Sequence, residues 1–187
     1  MIKNILNLGD AALYCDFGNK VDQKTNIKVI KYFENIKKQN IYGINNLTPS
    51  YNKLIISFDL NILNFTELKK KIEDIKVSES DVKQNQKIVK IPTCCDDEFA
   101  LDIERLSLKL NLTKKEILEK FLNKEYFCYM TGFIAGMPFL GDIDKKIRFQ
   151  RLETPRVKVP RGAVGITCLL YTSPSPRDRT RSRMPSS

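Results

Sequence analysis

The chain has 187 residues with 32 Lys and Arg against 22 Asp and Glu, a formal net charge of +10, and no histidine. That composition excludes an imidazole base, and with no C-x-x-C pair it also argues against a zinc site. The most apolar run, Tyr126 to Leu140, is shorter than the ~20 residues a membrane helix needs and is broken by Gly and Pro; with no apolar leader at the N-terminus, the expected compartment is the cytoplasm and no membrane partner is expected.

The first domain is expected over residues 1–80. Gly9 to Gly18 reads as a turn feeding a short strand of alternating apolar and polar residues. Val21 to Lys38 follows as a helix, with Val21, Val29, Ile30, Phe33 and Ile36 on an apolar stripe against lysines and Asp22 in the first turn. Ile41–Ile44 and Lys53–Asp59 read as two strands of a hairpin across an Asn/Thr/Pro/Ser-rich connection, and Phe65 to Ile75 as a second amphipathic helix. Strand, helix, two strands, helix is the order of a small α+β sandwich of ferredoxin-like type.

A polar linker is expected at 81–86 and a second domain at 87–167. Ile88 to Pro92 reads as a strand stopped by proline. The adjacent carboxylates Asp96, Asp97 and Glu98 are a solvated helix start rather than a metal cluster, so no metal is expected. Ala100 to Leu110 reads as a helix, and Thr113 with Glu116 has the form of a capping box opening another through Leu122. Glu125 to Met130 is expected as a strand, as are Val157–Val159 and Val164–Ile166, with Pro160-Arg161-Gly162 turning between the last two.

Residues 168–187 are Ser/Pro/Arg-rich without apolar periodicity and read as a disordered tail, with Cys168 to Asp178 matching what a common sequencing adapter encodes. Setting them aside leaves 28 basic and 21 acidic residues over 1–167, a net charge of +7, spread as lysine along helical faces. A solvated surface explains that, and no nucleic-acid partner is expected.

The chain is organised around Gly132 to Gly165. Gly132, Gly136 and Gly141 are interleaved with Phe133, Met137, Pro138, Phe139 and Leu140, a pattern of backbone that bends tightly or approaches something closely. Before residue 168 the chain has 23 lysines and 5 arginines, and of those arginines Arg148, Arg151, Arg156 and Arg161 all fall here. Clustered arginine in a lysine-biased chain points to planar, bidentate binding of an anion.

Gly132-Phe133, Gly136, Leu140-Gly141, Pro155-Arg156, Val159-Pro160, Gly162, Val164 and Ile166 match in order and spacing the signature of a known family, and the chain resembles its members. The family is that of the 5-oxoprolinase B subunit, which is also known as allophanate hydrolase subunit 1 and includes a sporulation kinase inhibitor. Gly9-Asp10, Asn26, Tyr51 and Asp102-Ile103 extend the resemblance more weakly. Departures are Ala135 for the usual proline, Phe139 for tyrosine, Gln150-Arg151 for Pro-Arg, Cys95-Asp96-Asp97 for Tyr-Gly-Gly, and Phe121 for a frequent histidine.

The resemblance implies a second domain of cyclophilin-like β-barrel type that stops short of closure at residue 167, as in a C-terminally truncated chain. It implies ATP-dependent opening of 5-oxo-L-proline to L-glutamate, a small-molecule substrate, and two protein partners, the homologous C subunit of 5-oxoprolinase together with its A subunit. Which subunit holds ATP stays open, since no G-x-x-x-x-G-K-S/T loop is present. Arg156 and Arg161 are then the expected catalytic anion clamps. Gly132, Phe133, Gly136, Phe139, Gly141, Lys158 and Arg151 are expected at the substrate, Arg151 with the alternative of bracing an interface between subunits. Two other readings follow from the same family: a urea or allophanate substrate, and a non-catalytic inhibitor of a sensor histidine kinase.

Overall fold

The computed structural model describes residues 2–75, 77, 87–132, 135–150, 152–154, 156–160 and 162–166. Grouped by contacts the chain forms two units, one of residues 1–91 with 126–142 and the other of 92–125 with 143–187. The glycine-rich hairpin therefore groups with the N-terminal segment, far from it in sequence.

The first unit is α+β. Strands β1 (Asn4–Asn7), β2 (Ala12–Asp16), β3 (Ile44–Pro49) and β4 (Lys53–Phe58) form an antiparallel sheet in the order β1-β2-β4-β3. Alternation decides its faces. Leu13 and Cys15 on β2 pair with Ile56 and Leu54 on β4, and all four are fully buried, while the residues between them point to the half-exposed face. Helices α1 (Gln23–Gln39) and α2 (Phe65–Glu73) add Val29, Ile36, Leu68 and Ile72 to the same cluster. Each such side chain contributes about 1.5–3 kcal/mol of hydrophobic stabilisation.

Local chemistry explains where these boundaries differ from expectation. Asp22 is not in the first turn of α1 but is its N-cap, its carboxylate accepting from Thr25 N at 2.7 Å, so the helix starts after it. The strand expected over Ile41–Ile44 lies instead at Ile44–Pro49. Asn40 ends α1 in the left-handed region (φ 45°), Gly43 has φ 95°, and Ile44 N bonds back to Ile41 O, so 41–43 is a turn. β1 is an addition to the expected elements: its NILN sequence has one buried residue, Ile5, and is held by pairing with β2.

In the second unit α3 (Ile103–Leu110) and α4 (Lys114–Leu122) pack with a 3-10 turn at Lys145–Ile147 around Ile103, Ile117 and Ile147. The capping box expected at Thr113 and Glu116 is present, Thr113 accepting from Glu116 N at 3.2 Å and Glu116 accepting from Thr113 N at 2.8 Å. The strands expected at Ile88–Pro92, Val157–Val159 and Val164–Ile166 are absent; these residues are irregular and Ile88, Val89, Ile91, Val157, Val159 and Val164 are exposed. A strand is defined by a ladder of backbone pairing, and among the described residues these segments form no ladder. The tail 168–187 lies outside the described residues. Among the described residues no helix is long and apolar enough to cross a membrane.

Candidate functional site

Strands β5 (Phe127–Thr131) and β6 (Pro138–Gly141) form an antiparallel hairpin in the first unit, with an irregularity between Cys128 and Met130. Gly132 N bonds to Met137 O at 3.1 Å, and Gly136 turns the chain with φ 79° in open space. Gly141 does the opposite work. A Cβ there would lie 2.8 Å from Tyr129 Cδ2 and closer still to Cε2, so the bare glycine lets the Tyr129 ring lie flat across β6. Phe139 is half-buried, whereas Gly136, Met137, Pro138 and Leu140 are exposed.

Tyr129 is 3% exposed, between Tyr51 (ring centroids 5.5 Å apart) and Phe127 (4.9 Å, edge-on). Its hydroxyl reaches Asp142, 3.2 Å from Oδ2 and 3.4 Å from Oδ1, and Gln23 Nε2 donates to the same Oδ2 at 3.0 Å. Asp142 is exposed and has φ 67°, in the left-handed region that non-glycine residues seldom adopt, though aspartate does so more readily than most. Burial, then the Asp142 charge and hydrogen bond, pushes the Tyr129 phenol up to about 12, so the hydroxyl stays a donor.

The hairpin is fastened from below by Asn26, which is 1% exposed. Its Nδ2 lies 2.9–3.0 Å from the carbonyls of Ser50, Tyr51 and Tyr129, sharing two hydrogens among three acceptors. Ser50 Oγ adds a contact to Met130 Sδ at 3.4 Å. A second polar cluster surrounds Gly18. Lys53 pairs with Asp16, Asp16 also accepts from Gly18 N at 2.6 Å, and Gly18 O accepts from Lys53 Nζ and from buried Asn52. Burial raises the Asp16 carboxyl, but the hydrogen bonds from Lys53 and Gly18 with the charges of Lys53 and Lys3 bring it below its ordinary value.

In the second unit, Arg156 Nη2 donates to Asp102 Oδ1 at 2.8 Å, and Arg105 Nε stands 3.4 Å from the same oxygen, its guanidinium stacked over Phe149 at 4.8 Å. Arg148 and Lys158 are exposed. The expected substrate residues thus fall in two groups. Gly132, Gly136, Phe139 and Gly141 share the hairpin of the first unit, and Arg156 and Lys158 belong to the second. Phe133, Arg151 and Arg161 lie outside the described residues. No set of three or more Cys, Asp or Glu suited to a metal occurs among the described residues, and the helices there start from Asp22, Asn64, Asp102 and Thr113 rather than from a glycine-rich phosphate loop.

Sequence reasoning missed Tyr129, Asp142 and Gln23. The available signal was the aspartate directly after Gly141, a residue type that tolerates the left-handed region.

A family model described as carboxyltransferase domain, subdomain C and D, matches residues 3–176. The chain is 31% identical over 177 residues to the 5-oxoprolinase B subunit of Bacillus subtilis, covering 88% of this chain and 73% of that protein. It is 24% identical over 172 residues to the 5-oxoprolinase B subunit of Haemophilus influenzae, covering 87% and 75%. Among solved structures, the crystal structure of TTHA0988 superposes with a TM-score of 0.68 at 23% identity over 80% of this chain, a likeness of fold. The chain spans 29% of that longer protein.

Proposed function

The chain belongs to the carboxyltransferase domain, subdomain C and D, family, and from that premise we propose that it is the B-type subunit of a 5-oxoprolinase, working in the cytoplasm with the homologous C subunit of that enzyme together with its A subunit. The observation that carries this reading is the 31% identity, over most of both chains, to a protein named as the B subunit of 5-oxoprolinase. The reaction is ATP-dependent opening of 5-oxo-L-proline to L-glutamate, with ATP a co-substrate of the assembled complex.

A lactam is unreactive. Opening it requires a polarised or phosphorylated carbonyl oxygen, and the substrate carboxylate must be held while negative charge develops. Arg156 and Arg161 serve as anion clamps in this reading. A guanidinium has five N–H donors, so the bond from Arg156 to Asp102 uses one and leaves donors for a carboxylate. Lys158 adds positive charge, Arg151 contacts substrate or braces an interface between subunits, and Gly132, Phe133, Gly136, Phe139 and Gly141 shape the pocket wall. Ferredoxin-like and cyclophilin-like describe the two domains in the same reading.

The test is co-production with the A and C subunits, followed by glutamate and phosphate release from 5-oxo-L-proline plus ATP. Coupled release that Arg156→Ala lowers at least ~100-fold, with the complex still assembled, is the expected result, on the scale of losing one preorganised oxyanion donor. An assembled complex that releases neither product overturns the reading.

A further inference from the structure

Asp142 combines three features. It holds a left-handed backbone that a glycine would adopt without strain. Its carboxylate is braced from behind by two donors, the Tyr129 hydroxyl and the Gln23 amide, both on Oδ2. Yet the residue as a whole stays open to solvent, and among the described residues its other oxygen has only the longer contact, 3.4 Å, to the hydroxyl.

Aspartate tolerates this backbone better than most residues, and a sparsely populated backbone at a solvent-facing polar residue points toward a functional position. The geometry of Gly141 adds to this. Its missing side chain is what allows the Tyr129 ring to pass beneath Asp142, so two consecutive residues are given over to orienting one carboxylate. An ionised carboxylate offers about four acceptor sites and no donor. Gln23 and Tyr129 occupy at most part of them, and what remains open recognises a hydrogen-bond donor.

We propose that Asp142 is a substrate-binding residue whose outward oxygen accepts an N–H of a neutral amide- or urea-type ligand. The choice of ligand class rests on the function proposed above, in which a lactam N–H has to be fixed while its carbonyl is activated. Tyr129 and Gln23 are positioning residues that act through Asp142. The Tyr129 phenol, raised to about 12, donates at every physiological pH and keeps the inner oxygen engaged. A carboxylate so placed selects against a ligand whose nitrogen carries a methyl group, which removes the donor and leaves the acceptor unpaired.

The test uses the complex assembled with the A and C subunits. Binding of 5-oxo-L-proline, its N-methyl derivative and urea is measured by saturation-transfer NMR, for the unaltered protein and for Asp142→Asn and Asp142→Gly. Glycine suits the backbone at 142, so that variant folds, and its melting temperature reports whether the residue is merely a brace. The expected result is at least a tenfold preference for 5-oxo-L-proline over the N-methyl compound, reduced to less than threefold in both variants with melting temperature held or raised. Preference unchanged in the variants overturns the inference and leaves the oxoprolinase reading standing. No binding of 5-oxo-L-proline but Asp142-dependent binding of urea overturns the oxoprolinase reading and sustains the inference. Binding of none of the three overturns both.

Discussion

Gly141 and Tyr129 compete for the same space: a Cβ on Gly141 would sit within 2.8 Å of Tyr129 Cδ2, with Cε2 nearer still. The contact is to a ring held between Tyr51 and Phe127, so the ring has little room to yield. Gly141→Ala is expected to lower stability by about 1–3 kcal/mol, the range for overpacking a close contact. Urea denaturation measures the loss, and near-UV circular dichroism checks that the tyrosine environment changes with it. A variant as stable as the parent, with an unaltered tyrosine signal, would refute the close approach.

The raised phenol makes an alkaline prediction. The folded state holds the Tyr129 proton up to about 12, whereas the unfolded chain releases it near 10. Above 10 the unfolded state therefore binds fewer protons, and stability falls as pH rises from about 10 to about 12. Tyr129→Phe removes this dependence. The slope of melting temperature against pH over that window is expected to be shallower in the variant, and equal slopes would contradict the assignment.

How far the sequence anticipates the molecule depends on which forces are local. α1, α2, β2, β4 and the capping box at Thr113 follow from periodicity and caps, and they stand within a few residues of where pattern reading puts them. β1 and β3 are less visible because NILN and INNLTP show little alternation and are edge strands of the sheet, stabilised by a partner. The glycine-rich hairpin is legible as a tight, crowded backbone, but its neighbours are not. Nothing in the spacing says that Asn26, 103 residues away, donates to Tyr129 O. Nor does it say that Arg156 faces Asp102 across 54 residues. Long-range pairings of this kind are set by tertiary packing.

Asn26 gives the next test. Its amide, on a side chain 1% exposed, serves three carbonyls from two segments at once, one through a buried bond and two through part-buried ones. Asn26→Leu leaves those acceptors without their donor, and a loss of about 2–4 kcal/mol is expected, since each unsatisfied buried group costs roughly 1–3 kcal/mol and a carbonyl can recover part through its second lone pair. Asn26→Asp should be worse near neutral pH, because a carboxylate has no proton to give and faces three carbonyl oxygens. Chemical denaturation of both variants checks the order; an aspartate variant more stable than the leucine one would refute it.

Cys15 is fully buried on β2, and burial pushes its thiol up to about 12, while Cys94 and Cys128 are exposed. Alkylation proceeds through the thiolate on an accessible sulfur. In the native protein at pH 8, iodoacetamide followed by peptide mass mapping is expected to label Cys94 and Cys128 and to spare Cys15 until denaturant is added. Native labelling of Cys15 at the rate of Cys94 would show that β2 is not covered by the helices.

The pair of Asp16 and Lys53 controls the acid limb. Their side chains are 19% and 16% exposed, so the pair is screened from water more than a surface bridge and less than a core one. Removing one partner is therefore expected to cost between the surface value of up to about 1 kcal/mol and the buried value of about 3–5 kcal/mol. Although burial opposes it, the Lys53 and Gly18 hydrogen bonds and the Lys53 and Lys3 charges hold the Asp16 carboxyl below its ordinary 3.8. A depressed carboxyl stabilises the fold at pH values above the unfolded-state pKa, and the contribution is lost as pH falls from about 4 through the lower folded value. Asp16→Asn should thus be less stable at pH 7, with the difference from the parent narrowing below pH 4. Melting temperatures of the two proteins from pH 7 to pH 2.5 decide it: a gap that stays constant across the range would mean that Asp16 contributes shape and hydrogen bonds at Gly18, and that its charge does not matter.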